Sequence, residues 1–219
     1  MLPSLNHLPL PDIPVACGDG LVEAQHLNGD IRVELPVWPN AAPGDAYQLL
    51  LDGAPVGVPV RLPDPPPPPG ARLHLPLATR LLDREGAYAV AYQVQSVHGR
   101  PRHSPYRRIR IDRMAPGAHF LSPITFPAAT FGIRLVGLVP GYAGMQEGDC
   151  IQTLCNGLDG PSHRVQAEDL IAGAARIAFT REDLERVMME GGVSIRYFIT
   201  DRSGNKSLKS RPTLVNIET

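Results

Sequence analysis

The sequence contains nearly the same stretch twice, GAYAVAYQV at residues 86–94 and GGVSIRYFI at residues 191–199. Tyr92 and Tyr197 occupy the same place in these two stretches. In both, large apolar side chains alternate with smaller or polar ones, which is the two-residue period of a β-strand with one buried face. This period predicts a chain built from half-buried strands.

A wider repeat surrounds these two strands. Residues 35–53 align with residues 139–157 at an offset of 104, and Trp38 falls on Tyr142. After one inserted residue the offset becomes 105, which pairs Tyr92 with Tyr197. Two matching segments in the same order favour a tandem duplication.

The repeat predicts an all-β fold made of two tandem immunoglobulin-like β-sandwich domains. Short apolar runs are separated by turn residues, in a chain with 24 Pro and 21 Gly. About seven short strands in ~100 residues suit such a sandwich. We predict an N-terminal extension over residues 1–13, domain 1 over residues 14–113 and domain 2 over residues 114–219.

One helical turn is predicted before the tyrosine-bearing strand of each domain. The stronger signal is TREDLERVMMEG at residues 180–191, with Thr180 as N-cap and Asp183 three residues later as part of a capping box. The counterpart at residues 77–86 has a weaker pattern.

Charge and hydropathy exclude several kinds of partner. Lys and Arg number 21 against 22 Asp and Glu, so the net charge of −1 gives no field that gathers nucleic acid or an acidic membrane. No apolar run approaches the ~20 residues of a transmembrane helix. The amino terminus has prolines and no basic region, so Sec export is not predicted.

The histidines, cysteines and possible nucleophiles of the sequence form no catalytic or metal-binding motif. The seven histidines lack the spacing of zinc sites, and no nucleophile motif is present. Cys17, Cys150 and Cys155 are interpreted as small buried residues, with a disulfide from Cys17 as the alternative. We predict no enzyme activity, no cofactor and no metal.

One arginine-rich segment, RPRHSPYRRIRIDR at residues 100–113, is a candidate binding site. It would bind an acidic glycan or another anion, with a tyrosine as a stacking platform. Alternatively, its alternating arginines form the solvated face of an edge strand, where charge prevents edge-to-edge pairing. The candidate residues are Arg100, Arg102, His103, Tyr106, Arg108 and Arg110.

The pattern PxWxxxxPGDxxxLLxDG, followed by GxYxVxYxVxxxxG and a polar turn, resembles the tandem bacterial Ig-like domains of large secreted or surface-displayed proteins. Residues 30–113 carry the resemblance through Trp38, Gly44, Asp45 and Tyr92, and residues 133–217 carry it more weakly, because Cys155-Asn156 replaces a Leu-Asp pair. Members of that group are generally spacer, stalk or adhesive modules, so the resemblance implies a non-catalytic role.

Two functions are favoured by the sequence, and a third, a hydrolase with an Ig-like accessory domain, is disfavoured because both halves of the chain are predicted to form scaffold. The first is an interaction or spacer module of a bacterial secreted or surface protein, which binds protein or glycan through loops or a sheet edge. The alternative is a targeting or carrier component of a delivered effector or toxin. We expect a monomer at the cell surface or secreted by a non-Sec route, without nucleic acid as a partner.

Overall fold

The chain divides into two compact units, residues 1–113 and residues 114–219. The computed structural model describes residues 7–97, 99–127, 133–189 and 192–216. His98 and Gly191 lie outside the described residues. Each unit has its own cluster of buried apolar side chains.

Unit 1, residues 1–113, is a sandwich of a large and a small sheet. The large sheet has the order β1-β8-β6-β3-β4, with β7 also paired to β6, and the small sheet pairs β2 with β5. Buried side chains from both sheets form one core around Trp38 and Tyr92. The strands are β1 (Leu21–Val22), β2 (Ile31–Pro36), β3 (Ala46–Leu51), β4 (Ala54–Arg61), β5 (Arg72–Leu77), β6 (Gly86–Gln95), β7 (Arg102–His103) and β8 (Arg107–Ile111).

Unit 2, residues 114–219, has the same arrangement with fewer strands among its described residues. The large sheet has the order β11-β10-β13-β14, and the small sheet pairs β12 with β9. Its core surrounds Tyr197 and Phe179. The strands are β9 (Leu135–Pro140), β10 (Cys150–Cys155), β11 (Leu158–Arg164), β12 (Ala174–Phe179), β13 (Val193–Thr200) and β14 (Thr213–Val215).

The strands of the two units match in position and register. β2, β3 and β4 begin 104 residues before β9, β10 and β11 respectively. Leu49 pairs with Tyr92 in the large sheet of unit 1, and Thr153 pairs with Tyr197 in that of unit 2. The predicted all-β sandwich fold is confirmed.

A two-residue turn joins the same two strands in each unit. Asp52 and Gly53 have φ of 50° and 83°, and Asn156 and Gly157 have φ of 48° and 86°. Two successive positive φ angles give the turn whose twist fits a tight hairpin, and Asp-Gly and Asn-Gly are the residue pairs that adopt it most readily.

The predicted helical turns are present before both tyrosine-bearing strands. In unit 1 a 3₁₀ turn covers Thr79–Leu81. In unit 2, α2 (Arg181–Glu185) begins after Thr180, whose side chain accepts a hydrogen bond from the Asp183 amide. A second helix, α1 (Ala167–Ala172), was not expected from the sequence.

The predicted N-terminal extension contributes to the core of unit 1. Leu8 and Ile13 are buried there, and Asp12 exchanges two backbone hydrogen bonds of 2.8 Å with Glu34 on β2. Thr125 pairs with Leu138 on β9 in the same way. Residues on both sides of position 14 therefore belong to the first sandwich.

Candidate binding surface

The arginine-rich segment lies on β7, on β8 and on the loops beside them. β8 pairs with β6 on one side and with β1 on the other, so it is an inner strand of the large sheet. The Arg110 amide donates to the Gly20 carbonyl at 2.8 Å, which closes that side of β8. The predicted edge position is therefore wrong for the end of β8 that β1 covers, at Arg110 and Ile111.

The six candidate residues do not lie on one face. Cross-strand partners in a sheet point to the same side. His103 is opposite Gln93, and Arg102 is opposite Val94, which is buried in the core. Arg102 therefore points to the other side of the sheet from His103.

Arg108 and Arg110 lie on the outer face of the large sheet. They pair with Ala89 and Ala87 on β6, which point to the same face; Arg108 is exposed and Arg110 is half-buried. The Arg110 Nη2 atom is 3.8 Å from Asp19 Oδ2, which partly neutralises its charge. His103 is on the same face but about four residues further along β6, or roughly 13 Å.

The remaining two candidates are on exposed loops. Arg100 precedes β7, and Tyr106, with 65% of its surface exposed, precedes β8. The structure therefore gathers Arg108 and Arg110, and separates them from Arg102. Anion binding by the segment remains a prediction, with fewer converging charges than the sequence suggested.

The aspartates that recur at the turn before β3 and β10 serve the scaffold. Asp45 and Asp149 are both buried. Asp45 Oδ2 accepts a hydrogen bond from the Ala42 amide at 3.2 Å. Asp149 Oδ2 accepts one from the Gln146 amide at 3.0 Å and one from the Tyr142 hydroxyl at 2.8 Å. Desolvation by burial, followed by this contact with Asp149, raises the pKa of Tyr142 well above its usual value.

One serine in each unit binds the backbone of the matching tyrosine, Ser104 that of Tyr92 and Ser210 that of Tyr197. The Ser104 hydroxyl accepts from the Tyr92 amide at 3.0 Å, and the Ser104 amide donates to the Tyr92 carbonyl. Ser210 makes the same two contacts with Tyr197. These serines provide the backbone hydrogen bonds that a residue of a neighbouring strand would otherwise provide. They therefore stabilise the fold and do not form a binding site.

Trp38 packs inside unit 1. It is fully buried and makes an edge-on contact with Tyr47, at 5.9 Å between ring centroids. Trp38 is therefore a core residue and does not contribute to the surface of unit 1.

The cysteines differ in part from the prediction. Cys155 is buried, and burial raises the pKa of its thiol to about 11. Cys17 is exposed and Cys150 is half-buried, so the prediction of a buried residue is wrong for Cys17 and only partly correct for Cys150; all three cysteines are free thiols. Within the described ranges, no three His, Cys, Asp or Glu side chains converge as metal ligands.

Unit 2 contains a histidine–aspartate contact that the sequence did not reveal. His163 Nε2, on β11, lies 2.7 Å from Asp169 Oδ2, in the first turn of α1. Burial raises the pKa of the Asp169 carboxyl, but hydrogen bonds from His163 and from the Gln166 amide outweigh it and lower the pKa below its usual value. The pair joins α1 to the large sheet.

An open groove of about 260 Å³ lies in unit 2 beside Tyr142 and Tyr197. Most of its lining is apolar, and the residues concerned are 117–122 and 140–143 together with Tyr197. No carboxylate or arginine is among them.

In the described part of the chain, no helix is long and apolar enough to cross a membrane.

Two solved structures are similar to the chain. A chain from a study of host cell surface retention of a 1.5-MDa bacterial ice-binding adhesin matches with a TM-score of 0.50 at 15% identity, over 97% of this chain and 65% of that one. Clostridium thermocellum CbhA fibronectin(III)-like modules match with a TM-score of 0.45 at 15% identity, over 94% of both chains. No protein-family model and no curated protein sequence matches the chain. The chain is therefore similar in fold to the chain from the adhesin study, and it spans about 65% of that chain.

Proposed function

We propose that the chain is a non-catalytic interaction and spacer module of a bacterial secreted or surface-displayed protein, built from two tandem copies of one β-sandwich. One observation carries this proposal: the polar residues shared by the two units are used by the scaffold. Ser104 and Ser210 bind the backbone amides of Tyr92 and Tyr197. Asp45 and Asp149 bind backbone amides at the turns in the same way. A catalytic centre needs ionisable groups that are free to touch a substrate.

The fold of the adhesin chain supports a surface location by analogy, since a fold by itself is compatible with many functions. The partner is a protein or a glycan, and the module acts as a monomer. The near-neutral charge of the chain argues against nucleic acid as the partner.

Retention under flow tests the proposal. Beads coated with the full chain are passed over bacterial and mammalian cells, and beads coated with an unrelated β-sandwich of similar size and charge are the control. We expect the full chain to retain beads on at least one cell type. Equal retention of both kinds of bead would contradict the interaction role, and turnover of a substrate by the purified chain would contradict the absence of catalysis.

A further inference from the structure

The outer face of the small sheet differs between the two units. In unit 1, its outward positions carry an ion-pair network in which Glu34 Oε2 is 2.6 Å from Arg72 Nη1 and Glu34 Oε1 is 3.2 Å from Arg32 Nε. The register places Val136, Leu138 and Ala174 at the matching positions of unit 2. The same face is therefore charged in unit 1 and largely apolar in unit 2.

β12 also has an edge whose backbone groups point away from its neighbour. The amide and carbonyl of Leu138 are bonded to Thr125, at 2.7 and 2.9 Å, on the side of β9 away from β12. Arg176 stands opposite Leu138. In an antiparallel ladder both residues of such a pair turn their backbone groups outward, so those of Arg176 and, two residues on, Ala178 face the free edge. No described residue donates to or accepts from these groups.

In unit 1 the corresponding edge is blocked. Pro76 on β5 pairs with Arg32. In unit 2, Ala178 on β12 pairs with Val136, which matches Arg32 in position. Pro76 and Ala178 are therefore matching positions. Proline has no amide hydrogen and is a common means of protecting an edge strand. Unit 2 has no proline at this position of β12, and the edge lies next to an apolar face; β11 of the large sheet also approaches β12, but no backbone hydrogen bond joins the two strands among the described residues.

The charge of Arg176 indicates what can occupy this edge. Arg176 is exposed, and within the described residues no carboxylate lies within ion-pair distance of it. A second copy that paired all three outward residues of β12 would place Arg176 opposite Arg176, and like charges directly opposite are destabilising. A strand with an acidic residue at that position meets both the hydrogen-bonding groups and the charge.

On this basis we propose that the free edge of β12 binds an extended segment of a partner protein, which adds a strand to the small sheet of unit 2. The segment carries an acidic side chain opposite Arg176 and apolar side chains two residues to either side, facing Ala174 and Ala178. This inference rests on the proposed interaction role and assigns it to one sheet edge.

The probe is the synthetic peptide TVTETVT, compared with TVTKTVT, in an NMR titration of the full ¹⁵N-labelled chain. We expect the amide signals of Arg176 and Ala178 to shift, and the glutamate peptide to bind about three- to tenfold more tightly than the lysine peptide. Arg176→Glu should reverse this preference. Ala178→Pro should weaken binding at least about tenfold, because it removes an amide that points outward and is not part of the β9–β12 ladder.

Pro76→Ala is the matched control, since it changes the corresponding edge of unit 1 and should leave binding at β12 unchanged. Binding that is unaffected by Ala178→Pro, or a glutamate preference that persists in Arg176→Glu, would overturn the proposal. The proposal would also be overturned if neither peptide bound. Self-association of the chain that Ala178→Pro abolishes would overturn it as well. If Ala178→Pro fails to fold, the charge reversal at Arg176 decides alone.

The flow assay separates this inference from the proposed function. If the wild-type chain and Ala178→Pro retain beads equally, the β12 edge is not the binding site and the interaction role stands. If the peptide binds but the wild-type chain retains no beads, the edge is competent and the cell-surface role fails.

Discussion

The two matching tyrosines are expected to respond in opposite ways to loss of their hydroxyl groups. Both are fully buried. The Tyr197 hydroxyl donates to the Ser122 carbonyl at 2.7 Å, whereas that of Tyr92 finds no hydrogen-bond partner among the described residues. Burial raises the pKa of Tyr197 to about 12, and it raises that of Tyr92 further, opposed in part by the positive charge of Arg102.

Tyr197→Phe removes a hydrogen bond and leaves a carbonyl unpaired, which should cost unit 2 about 1–3 kcal/mol of unfolding free energy. Tyr92→Phe removes a buried hydroxyl that lacks a partner, so unit 1 should lose nothing and gain up to about 1 kcal/mol. For a domain of this size, 1 kcal/mol corresponds to a shift of about 4 °C or more in Tm.

The assay can distinguish the two units. Trp38 is the single tryptophan of the chain and is buried in the core of unit 1, so its fluorescence during urea unfolding reports on that unit. Calorimetry of the full chain records both units and gives the Tm shift of Tyr197→Phe. Equal destabilisation by the two substitutions would refute the argument, because it would mean that the Tyr92 hydroxyl is also bonded.

Three further substitutions test unit 2. Ser210→Ala leaves the buried Tyr197 amide without its 3.0 Å acceptor and should cost about 1–3 kcal/mol in calorimetric unfolding; no loss would mean that another group takes over. Gly137→Ala places a methyl group 2.5 Å from Ile124 Cδ1 and should cost about 1–3 kcal/mol; an unchanged Tm would show that the core yields. Asp169 has a lowered pKa in the folded chain, so its contribution is present above the ordinary pKa of 3.8 and is lost as the pH falls through the folded value. Asp169→Asn should therefore remove part of the stability lost on acidification, measured as Tm against pH, and an identical acid profile would contradict this.

The fold could be predicted because its signals are local. Alternation in β6 and β13 identifies the buried face, and the hairpin glycines identify the turns. α1 was missed although Gln166, Asp169 and Gly173 give a capping signal, because the run between them is short and carries no apolar stripe.

The candidate site was harder to predict because strand pairing is not local. The arginine alternation in β8 is the same whether the strand is central or at an edge, and only the pairing with Leu21 and Val22 decides. The edge position of β12 was missed for the same reason, since the sequence AARIAF at residues 174–179 does not indicate whether the strand has a neighbour on one side or on both.

The places where the two units differ are more informative about binding than the places where they agree. If the units are copies, as we propose, positions that preserve the same contact in both, such as Ser104 and Ser210, report what the sandwich needs in order to fold. An outward position has no such constraint, so the charged residue Glu34 and the apolar residue Leu138 can occupy matching sites. An exposed apolar surface beside an unprotected edge carries a risk of aggregation, and it is not required by the fold, because unit 1 folds with an ion-pair network there. A binding role for the β12 edge explains why unit 2 lacks the protection that unit 1 has.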